Sequence, residues 1–173
     1  MNLLELFKPV KAFVFDMDGV LTDGSLIIMP DGEWLRTMDI KDGYALQLAV
    51  KKGYYVAVIT GSKSAPVEER LRRLGVTDVF QQVTDKVNCL EKWAASKNLQ
   101  TEEILYMGDD IPDSNALLFA GVSCCPADAD SGIREISKYI SSRSGGKGAV
   151  RDVIEKVLKL HKQWNPAAGV SSI

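Results

Sequence analysis

Short apolar runs alternate along this chain with stretches in which apolar residues recur every three or four positions. A run of four to six apolar residues bounded by turn formers reads as a strand buried on both faces. On this basis strands are predicted at 11–16, 54–59, 104–107 and 122–125, with a short further one at 79–80. The periodic stretches predict helices at 42–52, 64–74, 85–97, 112–120 and 148–163. Asp42 stands near the start of the first helix, and Ser64 is placed to cap the second, with Pro66 in its first turn. The last helix carries Val150, Val153, Ile154, Val157, Leu158 and His161 on one stripe. Strands and helices in alternation imply an α/β domain, a doubly wound parallel sheet with helices on both faces. One domain is expected over 1–164, followed by a disordered tail from Asn165.

One segment departs from the alternation. Residues 24–39 read as a β-hairpin, with arms at 25–29 and 33–38 around a Pro30-Asp31-Gly32 turn. Leu26, Ile27, Ile28, Met29, Trp34, Leu35 and Met38 make it more apolar than a solvated hairpin tolerates. An isolated two-stranded hairpin is marginal in water, so this one must pack on something. The sheet already has helices for both faces, which favours pairing with copies of itself, through 24–39, over folding back on its own domain.

Bulk properties narrow the function classes. The chain has 173 residues, 46% hydrophobic and 25% charged, and a formal net charge of −2, which argues against nucleic acid or an anionic membrane as main partner. No apolar run is long enough to span a bilayer, and the first residues lack a signal-peptide pattern, so a cytoplasmic location is expected. Cys89, Cys124 and Cys125 fit neither a disulfide framework nor a zinc spacing, and the last two read as buried thiols. His161 is the single histidine, so acid–base chemistry must fall to carboxylates, lysine or tyrosine.

The polar residues at strand ends carry the candidate chemistry. The first strand ends on Asp16-Met17-Asp18-Gly19, two acids whose like charges repel unless a cation or a proton joins them. The second ends on Thr60-Gly61, Lys86 opens the helix after the third, and the fourth runs into Gly108-Asp109-Asp110 with Asp113 beyond. In an open α/β sheet these ends border one crevice. Oxygen ligands of this kind suit Mg²⁺, which binds through one or two carboxylates plus substrate phosphate. Thr60, the Gly61 amide and Lys86 can then hold phosphoryl oxygens. No P-loop is present, and Gly145-Gly146-Lys147-Gly148 is not a dinucleotide fingerprint; it reads as a flexible turn.

Asp-x-Asp-Gly, then Thr-Gly, then Lys, then Gly-Asp-Asp-x-x-Asp, each at a strand end or helix start, resembles the haloacid dehalogenase superfamily of phosphohydrolases over nearly the whole chain. The segments Asp18–Gly24, Lys41–Tyr44 and Gly145–Arg151 resemble its capless branch, the one that contains the 3-deoxy-D-manno-octulosonate 8-phosphate (KDO 8-phosphate) phosphatases. The resemblance implies a Rossmann-like domain and a phosphoric monoester hydrolase. It implies Asp16 as nucleophile forming an aspartyl-phosphate, and Asp18 as acid and then base. It further implies Mg²⁺ held by Asp16, the Asp18 carbonyl and Asp109, with Thr60 and Lys86 on the phosphoryl group. Asp113 would orient Lys86. For Asp110 two readings stand, holding a metal-bound water or serving as a helix-start acid.

The intervals from Asp18 to Thr60 and from Thr60 to Lys86 are filled by the elements above, so a lid of roughly fifty residues does not fit. In the resembled subgroup the protein is a tetramer whose hairpins and neighbouring subunits shape each site. Arg70 and Arg73 would meet a sugar-acid carboxylate there, or lie on a solvated helix face. Ser62 departs from the pattern: the KDO 8-phosphate enzymes carry arginine there, and the 2-keto-3-deoxynonulosonate 9-phosphate enzymes glutamate. The expected substrate is therefore a small phosphorylated sugar acid, KDO 8-phosphate first, with 2-keto-3-deoxynonulosonate or N-acylneuraminate 9-phosphate as alternatives. A phospho-accepting receiver-like signalling domain uses a similar residue set, but places its acceptor on a middle strand; a catalytically silent assembly module is a third reading.

Overall fold

The computed structural model describes residues 2–165; the predicted tail beyond Asn165 lies outside them. Six strands form one fully parallel sheet: β1 (Ala12–Phe15), β4 (Tyr55–Ile59), β5 (Asp78–Phe80), β6 (Ile104–Met107), β7 (Val122–Cys125) and β8 (Tyr139–Ile140). Their order is β5-β4-β1-β6-β7-β8. Chain order thus reverses at β1, as in a doubly wound Rossmann-like sheet and unlike the receiver arrangement, in which the first strand is flanked by the second and third.

Every residue of β1, β6 and β7 is buried, because both faces are covered. Phe13 and Phe15 of β1 point to one face, into a core shared with α2 (Ile40–Lys51) and α7 (Ala149–Leu160). Ala12 and Val14 point to the other, toward α4 (Lys86–Ser96), α5 (Ser114–Phe119) and α6 (Ser131–Ile136). The two remaining α-helices among the described residues are α1 (Leu3–Phe7) and α3 (Ala65–Arg73).

Several expectations shift. The 42–52 helix begins at Ile40 with Asp39 as its cap. Asp42 faces inward instead, accepting the Arg151 amide at 2.7 Å and the Gly148 amide at 3.3 Å. It thereby caps α7, whose own N-terminal residue Gly148 is left-handed and has no side chain to offer. The 112–120 helix is a 3₁₀ turn, Ile111–Asp113, leading into α5. Helix α1, helix α6 and strand β8 were not foreseen. Cys124 and Cys125 are buried free thiols, as expected. His161 ends the last helix and bonds Tyr54 Oη at 2.5 Å and the Lys8 carbonyl at 2.9 Å.

The hairpin is shorter than predicted. β2 (Ile27–Ile28) pairs antiparallel with β3 (Trp34–Leu35), and Gly32 takes the positive-φ position of the turn. A Thr22–Met38 bridge joins its base. Ile27, Ile28, Trp34 and Leu35 are all exposed on the single chain.

Candidate active site

The C-terminal ends of β1, β4 and β6 converge beside the point where strand order reverses. β1 ends in a tight turn over Met17–Leu21, in which Gly19 has φ +84°. A Cβ there would lie 2.0 Å from an Asp109 oxygen, so glycine lets the β6 acid approach the β1 turn. Gly145 and Gly146 close in from behind. A Cβ on Gly145 would sit 1.8 Å from the Gly19 carbonyl oxygen, and the Gly146 amide donates to the Val20 carbonyl at 2.9 Å. The glycine-rich segment is therefore a close-packed backbone wedge against the catalytic turn, which corrects the flexible-turn reading.

Four charged groups form the floor. Lys86, the first residue of α4, places Nζ 2.9 Å from Asp16 Oδ2 and 2.7 Å from Asp113 Oδ1. Asp113 is fully buried; it also accepts the Tyr106 hydroxyl at 2.7 Å and the Asp109 amide at 3.1 Å. Both of its oxygens are thus occupied, one of them by Lys86. Burial would lower the Lys86 pKa, but Asp16 and Asp113 together raise it, so the ammonium stays charged. Asp16 also accepts the Met17 amide at 2.7 Å.

Burial, then repulsion from Asp113, pushes the Asp16 carboxyl up to about 7. Burial, then repulsion from Asp16, pushes Asp109 up to about 7 as well. Ligand atoms of Asp16, Asp109 and Asp113 lie within 4.8 Å of one another, and Asp109 Oδ1 is buried with no hydrogen-bond donor on it. Two crowded carboxylates, one with an orphaned oxygen, fit a hard divalent cation that neutralises both. Asp16 and Asp109 have the coordinating capacity; Asp113 is saturated.

Asp18 turns the other way. Burial would raise its pKa, but hydrogen bonds from Arg36 and Ser62 hold it below the usual carboxylate value. Arg36 grips both oxygens, at 2.7 and 3.1 Å, and Ser62 Oγ lies 2.6 Å from Oδ2. Thr60 is buried at the end of β4, where its Oγ1 accepts the Ser62 amide at 3.1 Å, and Gly61 follows it exposed. Asp110 is exposed and accepts the Ile111 amide at 2.8 Å, the helix-start role. Arg70 lines a cavity of about 350 Å³ with Arg36 and Trp34, whereas Arg73 is exposed and ion-paired with Glu69.

Reading along the chain missed three participants. Arg36 sits among apolar hairpin residues, and Tyr106 lies inside a strand-like run. Thr22 accepts the Gly19 and Gly24 amides on one hydroxyl and so fastens the catalytic turn. Only Tyr106 left a local trace, a polar tip one residue from the end of a buried strand.

A haloacid dehalogenase-like hydrolase family model matches residues 43–127. A 3-deoxy-D-manno-octulosonate 8-phosphate phosphatase of Yersinia pestis is 31% identical over 170 residues, covering 98% of this chain and 91% of its own. The chain belongs to the haloacid dehalogenase superfamily. The Escherichia coli K12 phosphatase of the same name is 32% identical over 164 residues, covering 95% of this chain and 87% of its own. A crystal structure of the Moraxella catarrhalis enzyme with magnesium ion, phosphate ion and KDO superposes with a TM-score of 0.88 at 34% identity, covering 91% of each chain. Fold, family and hydrolase class agree with the motif order read from the sequence. Near-complete mutual coverage also agrees with a superfamily member that carries no cap domain.

Proposed function

We propose that this protein is a Mg²⁺-dependent phosphatase that hydrolyses KDO 8-phosphate through an aspartyl-phosphate. The observation that carries the reading is the buried cluster in which Lys86 links Asp16 to Asp113 while Asp109 closes on the same point. In the first step an Asp16 carboxylate oxygen forms a bond to phosphorus as the bond to the sugar C8 oxygen breaks, and Asp18 delivers the proton to that oxygen. In the second, water attacks the phosphorus, Asp18 takes its proton, and Asp16 is released with inorganic phosphate. Lys86, Thr60 and the Gly61 amide hold the phosphoryl oxygens, and Asp113 holds Lys86 in line. The cation, bound by Asp16, the Asp18 carbonyl and Asp109, would supply charge neutralisation that lets two anions meet.

The hairpin also supports a reading of the assembly. Its exposed apolar residues and the lack of space for a lid support a homotetramer in which neighbouring subunits shield each site from water. A second substrate reading, a 2-keto-3-deoxynonulosonate or N-acylneuraminate 9-phosphate, stands beside it because Ser62, which bonds Asp18, is neither the arginine of the KDO 8-phosphate enzymes nor the glutamate of the 2-keto-3-deoxynonulosonate 9-phosphate enzymes.

A panel of phosphorylated sugars and sugar acids ranked by kcat/KM tests the assignment. KDO 8-phosphate is expected first. A 9-phosphate ranked first would move the assignment to the second reading, and no turnover of any phosphomonoester would end it.

A further inference from the structure

Arg36 has no place in the mechanism above, yet it is the single basic residue of the 24–39 hairpin and is closely engaged. Its side chain is only 2% exposed, although its neighbours Trp34 and Leu35 are open to solvent. The guanidinium closes on Asp18 as a fork, Nε to Oδ1 at 2.7 Å and Nη2 to Oδ2 at 3.1 Å, and Nη1 donates to the Trp34 carbonyl at 3.3 Å. The Ser62 hydroxyl adds another donor on Oδ2. Each oxygen of Asp18 therefore faces a donor. A guanidinium fork favours the ionised carboxylate over the acid and fixes its plane, and charge-assisted forks are among the strongest protein hydrogen bonds. In this arrangement Asp18 is withheld from the chemistry assigned to it.

Arg36 also lines the cavity of about 350 Å³ between the hairpin and α3, together with Trp34, Met38, Ser64 and Arg70. That volume lies within the range of small-ligand sites. One side chain thus touches both the acid–base residue and a cationic recess beside it.

We propose that Arg36 is a specificity-determining residue that exchanges one carboxylate for another. It holds Asp18 while the recess is empty, and passes to the carboxylate of a sugar-acid phosphate lying in the recess, which frees Asp18 for the leaving oxygen. The guanidinium fork fits either carboxylate, so a substrate carrying one replaces the contact that it breaks. A phosphate ester without a carboxylate must break the fork with nothing in return. The inference rests on the phosphatase reading and adds how that site selects an acid.

The test compares kcat/KM for KDO 8-phosphate with that for its C1 methyl ester, in saturating Mg²⁺, for wild type, Arg36→Met and Arg36→Lys. Wild type should favour the acid by about 10- to 100-fold, the size of one charge-assisted contact. In Arg36→Met the ratio should fall to within about threefold of one, with the ester hydrolysed faster than by wild type because Asp18 is no longer held. Arg36→Lys, a point charge without the fork, should restore part of the preference. An acid-to-ester ratio unchanged in Arg36→Met, or an equal loss on both substrates, would make Arg36 a structural strut and overturn the exchange alone. A wild type that hydrolyses both equally would overturn it as well. A wild type that hydrolyses neither would remove the phosphatase reading itself.

Discussion

At the crevice, Asp16, Lys86 and Asp113 are buried, bonded to one another, and mounted on the ends of a parallel sheet covered on both faces. At the hairpin, Ile27, Ile28, Trp34 and Leu35 are exposed, and a two-residue ladder, one bridge and the Arg36–Asp18 fork hold the segment. The first region spends its polar groups on each other, and its geometry is over-determined. The second leaves apolar surface uncovered and few contacts to fix it. Precision and adaptability are thus separated in space: under the proposed function one region would fix the reacting atoms, and the other would meet what differs between substrates or subunits. Asp18 lies on the boundary, held by a residue from each side.

Breaking the crevice should have the largest effects. Chelating divalent ions should abolish turnover, and Mg²⁺ should restore it. At Mg²⁺ near a hundredfold above its dissociation constant the fold should gain about 2.7 kcal/mol, read as a rise in thermal midpoint. Asp16→Asn should lower kcat by at least about a thousandfold while leaving the circular dichroism spectrum and the assembly unchanged. Retained turnover in that variant would refute the nucleophile.

Removing residues 25–37 should act on assembly rather than on folding, because neither sheet core includes the hairpin strands. Light scattering should report a smaller mass than for the full chain; an unchanged mass would take the hairpin out of the interface. Gly145→Ala should strike between the regions. Its Cβ meets the Gly19 carbonyl at 1.8 Å, so the catalytic turn must move. The expected cost is about 1–3 kcal/mol in urea denaturation, together with a lower kcat.

The smallest effect concerns Asp42, which burial pushes from 3.8 up to about 6. The folded state then holds this proton more tightly than the unfolded chain does. Its contribution to stability is greatest below about pH 4 and is lost as pH rises through about 6. Asp42→Asn should flatten the stability curve across that window, measured by urea denaturation at several pH values; a slope equal to wild type would contradict the shift.

What could be read along the chain follows the same division. Asp16, Asp18, Lys86, Asp109 and Asp113 stood out because each lies at the end of an apolar run or the start of a periodic one, where local pattern carries the signal. Helix α6 and strand β8 did not, since six and two residues are too few to show a period. Asp42 looked like a local helix-start acid, but its partners Gly148 and Arg151 are more than a hundred residues away. Arg36 was hidden for the same reason: its partner Asp18 lies across the hairpin base, and nothing adjacent to Arg36 hints at it. Ser62 was read for what it fails to offer a substrate, while the fold gives it a contact with Asp18. Contacts made by tertiary placement leave no periodicity to detect.

The central claim is that scattered acids, a threonine and a lysine meet around one divalent ion so that phosphate passes to Asp16. A crystal grown with Mg²⁺ and beryllium fluoride tests it most directly. The account predicts fluoroberyllate bonded to an Asp16 oxygen, with the ion touching Asp16 and Asp109, and Thr60 and Lys86 on the fluorines. Fluoroberyllate on another side chain, or an ion bound away from Asp16 and Asp109, would contradict it.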